Sequence, residues 1–548
     1  MFSWRNALLA IGLSVLLTGG MCGDDETTTT DGGPTPDTLD TDGVSPDSAP
    51  PPDFVKFHKA GETAEVTSTA ANTWLIVPYS VSTQEASAID YTIKVEAKIG
   101  STSYPLKMRR RVPLSVRNPA LWAKWQRRLA VEAWTHGVRL QASHSPMSPP
   151  NALIQKRLQG MNKTFAACTK SSECGTDEVC HGGSCEKVLT LKVEKFAPTA
   201  KEITATVKRK GDHTAIIVDN KATVDERDLD DLIDMFDKTI YQRDVSLFGN
   251  PPLKSGETTL SSDRNADGLV WIVITNTVSE VRPAVGFFVA TDFTDDALSN
   301  KADILWITPP ETAGKVTPTY ATMAHEFQHL LNYAVKVYKP AASGGTAGDL
   351  EALWLDEGLS HFAEDACGFG GENTTMLSQE TFTAFNTTAL ISGQDSLAAR
   401  GVAFTYVRYL FEKKGAVSYE TNGAITDGGG AAWLKSLHTS TKTGAENITA
   451  TYGDYKAAMD AWIATIAIDG RGMSGADLYS YTSLIDDPVT HHQIGLKIRG
   501  SRKDATGAET TLEGPLEEDA KVGDNTGTIA NATGNFYKLP GQDGTMKI

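Results

Sequence analysis

His325-Glu326-Phe327-Gln328-His329 sets two imidazoles four residues apart, with a carboxylate beside the first. On a helix that spacing is one turn, so both rings share a face and can hold one Zn²⁺, while Glu326 can reach a water at the ion. Two histidines do not close such a site. A glycine at 332 and a histidine at 335 would supply the third donor in one zinc arrangement, but the chain has Asn332 and Val335 there. A second arrangement takes a glutamate from a following helix, and Leu353-Trp354-Leu355-Asp356-Glu357-Gly358-Leu359-Ser360-His361 offers Glu357. His325, His329 and Glu357 would leave a fourth position open, as catalytic zinc sites do.

Helices must carry these donors. Thr317-Pro318 reads as a helix start, with Thr317 as N-cap, and Met323, Phe327, Leu330 and Leu331 form an apolar stripe in a helix running to about Val337. The Gly/Ala/Ser-rich stretch 341–348 allows the chain to turn back, and Asp349 is expected to cap a second helix reaching Asp365. A third helix is expected from Leu397 to Lys413. An earlier one, Val224 to about Tyr241, puts Leu229, Leu232, Ile233 and Phe236 on one face. Strand signals fall at Val188–Val193, Glu202–Val207 and Thr214–Val218. Two strands that read as fully buried follow, Leu269–Thr275 and Ile304–Thr308, with Gly286-Phe287-Phe288-Val289 between them. The expected class is α+β.

The segments Ala324-His325-Glu326-Phe327-Gln328-His329-Leu330-Leu331-Asn332-Tyr333 and Trp354-Leu355-Asp356-Glu357-Gly358-Leu359-Ser360-His361 resemble the hyicolysin family of neutral zinc metallopeptidases. So do Asp263–Gly268 with the strand after it through Gly286-Phe287-Phe288, and Arg408-Tyr409-Leu410. The resemblance covers roughly residues 200–468. The second segment is also similar to the W-L-N-E-G-F-A segment of alanyl aminopeptidases, with Asp356 in place of the usual Asn. The resemblance implies a zincin-like domain of gluzincin type that hydrolyses peptide bonds in protein or peptide substrates. Glu326 would be general base, and His325, His329 and Glu357 the zinc ligands. Oxyanion support would come from Tyr406, Tyr409, Arg400 or His361, although relatives often carry a tyrosine near the position of Arg400. Asp356 and Glu364 are candidates to brace the ligating histidines. The edge of the Phe288 strand could pair with an extended substrate. Two rival readings are a catalytically inactive surface adhesion protein and a zinc hydrolase acting on a non-peptide amide.

The rest of the 548-residue chain bounds the setting. A net charge of −17 excludes the clustered cations that nucleic-acid binding needs. Residues 1–21 read as a signal peptide, with Arg5 ahead of an apolar run from Ala7 to Leu17, and Cys22 comes next as a candidate lipidation site. That places the protein in the cell envelope or outside the cell, with a lipid anchor as its only link to a membrane. Residues 22–53, rich in Asp, Thr and Pro, read as a disordered tether. Expected next are a β-sandwich-like N-terminal domain at 54–160, including a helix from Asn118 to about His136, and a cysteine-rich insert at 161–187. The peptidase domain spans 188–473 and a β-rich segment 474–548. Cys168, Cys174, Cys180 and Cys185 are spaced poorly for zinc and well for two disulfides in an exported chain. Three pairings are open, with Cys168–Cys180 and Cys174–Cys185 favoured, and Cys367 is left as a buried thiol. Asp263-Arg264-Asn265-Ala266-Asp267-Gly268 matches the first half of a calcium loop, but its twelfth position is Ile274, not glutamate. A tight turn is the expected reading, and Ca²⁺ would need oxygens from other loops.

Overall fold

The computed structural model describes 6–12, 55–59, 65–68, 73–81, 88–97 and, with breaks of which 250–262 is the longest, 168–547. The expected helix at 118–136, Cys22 and the tether at 22–53 lie outside the described residues.

A six-stranded mixed sheet is the centre of the molecule. Its strands are β1 (Val188–Lys192), β2 (Glu202–Lys210), β3 (Thr214–Asp219), β4 (Val270–Ile274), β5 (Gly286–Phe288) and β6 (Ile304–Ile307). They lie in the order β5-β6-β4-β3-β2-β1. β3, β4 and β6 run parallel, while β5, β2 and β1 are antiparallel to their neighbours. The three parallel strands are buried on both faces, which is why their sequences are continuous apolar runs. Alternate side chains serve two cores. Ile216, Ile272, Ile274, Phe288, Leu305 and Ile307 meet the helices. Ile217, Trp271, Val273, Phe287 and Trp306 meet the apolar side chains of β1 and β2 on the other face.

Four helices frame the candidate site: α1 (Thr317–Tyr333), α2 (Leu353–Ala366), α3 (Leu397–Lys413) and α4 (Tyr455–Ile468). The bounds expected for α3 are the observed ones, with Ser396 capping through a hydrogen bond from Ala399 N. Two expected caps differ. α1 is preceded by Val316, so Thr317 is already helical, and α2 starts at Leu353 with Ala352 before it rather than with Asp349 as cap. The anchor of the α1–α2 turn is instead a buried ion pair, Lys336 Nζ to Glu351 Oε2 at 2.9 Å. Glu351 also accepts from Gly444 N at 2.6 Å and Asn447 Nδ2 at 2.7 Å. A loop carrying no capping sequence is thus fixed by a carboxylate with every oxygen engaged. Beyond Tyr333 the chain continues through a π-helical turn, Ala334–Tyr338. A similar turn, Phe236–Ile240, extends the earlier helix (Glu226–Met235) as far as Phe248, past its expected end.

The cysteines pair as favoured, Cys168 with Cys180 and Cys174 with Cys185, and Cys367 is buried and free. The knot has almost no core of its own and is clamped to β2. Lys210 Nζ donates to the carbonyls of Ser171 at 2.8 Å, Gly175 at 2.6 Å and Glu178 at 3.1 Å. The two β-rich ends expected as separate units share two sheets. In one, Thr73–Tyr79 lies between Asn6–Gly12 and Phe536–Pro540; in the other, Ala88–Ala97 pairs with Gly523–Ala530 and Gly544–Lys547. Asn6–Gly12, inside the stretch read as an export signal, is a strand of the full chain. Tyr79 ties this layer to α4 through Asp460, Oη to Oδ1 at 2.6 Å.

α2 lies against α1 and α3, and its approach to α3 is set by one residue. A Cβ on Gly358 would lie 3.1 Å from the backbone carbonyl and Cβ of Ala403. Gly358→Val is therefore expected to force the helices apart at a cost of roughly 1–3 kcal/mol, read as a lower midpoint in urea unfolding; an unchanged midpoint would refute the contact.

Candidate metal centre

α1 and α2 bring His325, His329 and Glu357 together as the spacing predicted. All three are buried, as is Glu326. His325 Nε2 lies 3.2 Å from His329 Nε2 and 3.5 Å from Glu357 Oε2, and His329 Nε2 lies 3.6 Å from Glu357 Oε1. Donors held at about 2.0–2.1 Å by a tetrahedral zinc ion are about 3.3 Å apart. The three residues fit zinc without rearrangement.

Hydrogen bonds behind the rings decide which nitrogens face the centre. His325 Nδ1 lies 2.7 Å from Glu364 Oε1, and His329 Nδ1 lies 3.1 Å from Asp356 Oδ2. A carboxylate only accepts, so each Nδ1 carries the proton and each Nε2 presents a lone pair. Three acceptors, two imidazole nitrogens and a carboxylate, therefore converge on one buried point. A cation is what makes that arrangement favourable.

Glu326 is fixed from the sheet. The Phe288 amide, on edge strand β5, donates to Glu326 Oε2 at 3.0 Å. Arg400 on α3 reaches Glu357 Oε2 with Nη1 at 3.0 Å, while its Nε and Nη2 each bond Asp395 at 2.7 Å. His361 stands edge-on to His325, with ring centroids 5.0 Å apart. Its Nδ1 lies 2.8 Å from Asn373 Oδ1 and 3.2 Å from Glu364 Oε1. Of the four candidates for oxyanion support, Arg400 and His361 thus stand at the centre. Tyr406 packs its ring among Trp354, Tyr455 and Trp462, and Tyr409 lies against Tyr481 and the Lys413 ammonium. Along the helix axis they stand about 9 and about 13 Å beyond Arg400.

Several supporting residues were not singled out from sequence. Ser360 Oγ donates to Gln328 Oε1 at 2.5 Å, and Gln328 Nε2 lies 3.3 Å from His438 Nε2. Burial pushes the His438 pKa down to about 3, so its ring stays neutral and accepts from Gln328. Asp395 and Asn373 complete the set. Both come from segments after α2, and no local spacing marks them. A usable signal existed only for Gln328, a polar residue between the two histidines on a helix with an apolar stripe. Asp365, next to Glu364, does different work: Arg502 Nη2 at 2.5 Å and Arg408 Nη1 at 3.1 Å tie it to the C-terminal segment and to α3.

No protein-family model matches the chain, and no curated protein matches it. Among solved structures it is similar to an M1 zinc metallopeptidase from Deinococcus radiodurans, with 10% identity and a TM-score of 0.26 over 50% of this chain and 51% of that one. A mutant of the same enzyme aligns at 9% identity and a TM-score of 0.26, over 71% of this chain and 62% of the other. An aminopeptidase N family protein from Idiomarina loihiensis aligns at 11% identity and a TM-score of 0.23, over 42% and 38% respectively. The chain spans less than two thirds of each of these proteins. The likeness is too slight to bear on activity, which rests on the geometry of the centre.

If Glu364 holds the His325 tautomer, Glu364→Gln should weaken zinc binding about 10–100-fold. Competition against a fluorescent chelator measures this, and wild-type affinity in the variant would remove Glu364 from the site.

Proposed function

We propose that this chain is an exported zinc-dependent peptidase of gluzincin type, acting as an endopeptidase on protein or peptide substrates. The observation that carries the reading is the convergence of His325 Nε2, His329 Nε2 and the Glu357 carboxylate at zinc-donor separations, with Glu326 one residue from the first donor. Zinc held by these three residues would supply Lewis acidity, polarising a carbonyl and lowering the pKa of water. The chain's own groups do the rest. Glu326, oriented by the Phe288 amide, takes the proton of the attacking water and delivers it to the leaving nitrogen. Arg400 is spanned between Asp395 and Glu357, and so acts by aiming Glu357. His361, edge-on to His325, is the residue we assign to the developing oxyanion, acting as an imidazolium: its Nδ1–H is directed at Asn373 Oδ1 and the Glu364 carboxylate, so Nε2 donates only when it carries a second proton. β5 is an edge strand of the central sheet, a position from which backbone can pair with an extended substrate.

Export is supported by the N-terminal sequence and by the two disulfides, which persist in oxidising compartments. Among the described residues no helix is long and apolar enough to cross a membrane. The lipid on Cys22 and kinship with hyicolysins belong to the same proposal and rest on the sequence motifs.

Glu326→Gln keeps the shape and the hydrogen bond from Phe288 but cannot take a proton. It is expected to retain stoichiometric zinc and to cleave denatured protein about 10²–10⁴-fold more slowly. Equal cleavage by the variant would eliminate Glu326 as base. Zinc-loaded wild-type protein that cleaves neither proteins nor peptides would favour the non-peptide amide reading.

A further inference from the structure

A second concentration of buried acid lies at the head of β4, built from the 263–268 turn and Asp303, the residue before β6. Asp263, Asp267 and Asp303 are all buried. Asp267 is fully committed to structure: Oδ1 accepts from Leu269 N at 2.9 Å, and Oδ2 accepts from Ser171 Oγ and Trp271 Nε1, each at 2.8 Å. Asp263 closes the turn, its Oδ2 accepting from Gly268 N at 2.7 Å, with Gly268 at φ +86°. The expected tight turn is therefore present.

Asp303 has no such employment. It is 0% exposed, and its backbone carbonyl accepts from Trp271 N at 2.9 Å, which fixes it beside β4. Yet neither carboxylate oxygen has a hydrogen-bond partner. The side chain faces the turn: the charges of Asp263 and Asp267 and the backbone amides of Arg264 and of Asp303 itself all act on its carboxyl. Asn265, in the middle of the turn, has both side-chain polar atoms buried and without a partner. Protonating Asp303 would not resolve this, because a carboxylic acid still needs an acceptor for its O–H and a donor for its C=O. Burial, then the carboxylates of Asp263 and Asp267, push its pKa well above the usual range. Arg264 sends Nε to Phe293 O at 2.7 Å and Nη2 to Thr294 O at 3.3 Å and Asp295 Oδ1 at 2.9 Å. Carboxylate and amide oxygens border this place, with the buried Arg264 guanidinium turned to Phe293, Thr294 and Asp295, and such oxygens are the donor set of a hard divalent cation.

We propose that the turn 263–268 and Asp303 form a cation site of the calcium class, with oxygens from Asp263, Asn265 and Asp303. In sequence the D-x-N-x-D-G turn lacks the acid of a calcium loop because position twelve is Ile274. The sheet supplies that acid from another strand. Tyr338, at the end of the π turn after α1, lies beside the Arg264 guanidinium and near Asp263 and Asp303, so the turn stands next to the far end of the helix that carries the candidate zinc donors.

Full-length, zinc-loaded protein titrated with CaCl₂ and, separately, MgCl₂ in a calorimeter tests this. One equivalent of at least one ion should bind, with a matching rise in thermal midpoint. Asp303→Asn should weaken binding at least about tenfold, whereas Glu357→Gln, which removes a zinc donor, should leave it unchanged. Should Asp303→Asn not fold, Asn265→Ala carries the same expectation. Absence of binding by both ions in the wild type, or wild-type affinity in the Asp303 or Asn265 variant, overturns the site. Neither result bears on the peptidase proposal.

Discussion

The structure depends on one electrostatic constraint: three hydrogen-bond acceptors are held against one another in a buried place. Left alone, two imidazole lone pairs and a carboxylate about 3.5 Å apart would move apart or capture a proton. They stay because each ring is gripped from behind, His325 by Glu364 and His329 by Asp356. The grip fixes the tautomer, and the tautomer fixes the need for a cation. The preference for a cation is thus set one layer out from the three acceptors, by Glu364 and Asp356.

That layer works only if α2 is placed correctly, since it carries Asp356, Glu357, His361 and Glu364. Its N-terminal end is set by the Lys336–Glu351 pair, and its face toward α3 by the glycine that lets Ala403 approach. Its C-terminal end is set by Asp365, which gathers Arg408 and Arg502. Removing a partner from any of these buried pairs strands a charge, a far larger penalty than the pair's net worth. They specify position more than they add stability. The sheet contributes separately through the Phe288 amide, which ties Glu326 to an edge strand rather than to another helix.

Legibility in the sequence tracked the range of the forces. α3 and the three parallel strands were readable because apolar periodicity is local, and the donors because a helix converts a four-residue spacing into a shared face. Glu357 required a longer inference, from a Trp-Leu-Asp-Glu-Gly run to a second helix, and α2 sets its carboxylate oxygens 3.5 and 3.6 Å from the two Nε2 atoms. Capping failed where tertiary anchors replaced it: Asp349 reads as a cap, but Glu351 does the holding through partners at 336, 444 and 447. Asp395, Asn373 and His438 were invisible for the same reason, since each meets the centre through a contact across more than one element. The sharing of sheets by the two ends of the chain was equally hidden, because strand pairing between residues some 450 positions apart leaves no mark on either strand.

Arg400 is where charge balance and geometry meet. Asp356, Glu357, Glu364 and Glu326 place four buried carboxylates around His325 and His329. A single dication offsets only part of that charge, and a tyrosine on α3 would add a donor without a positive charge. A guanidinium adds both. Its planar fork lets Nε and Nη2 grip Asp395 while Nη1 reaches Glu357, so one side chain neutralises and aims at once. A lysine could match the charge but not the two-sided grip. The guanidinium is thus matched to the acidic surround in which it sits, between Asp395 and Glu357.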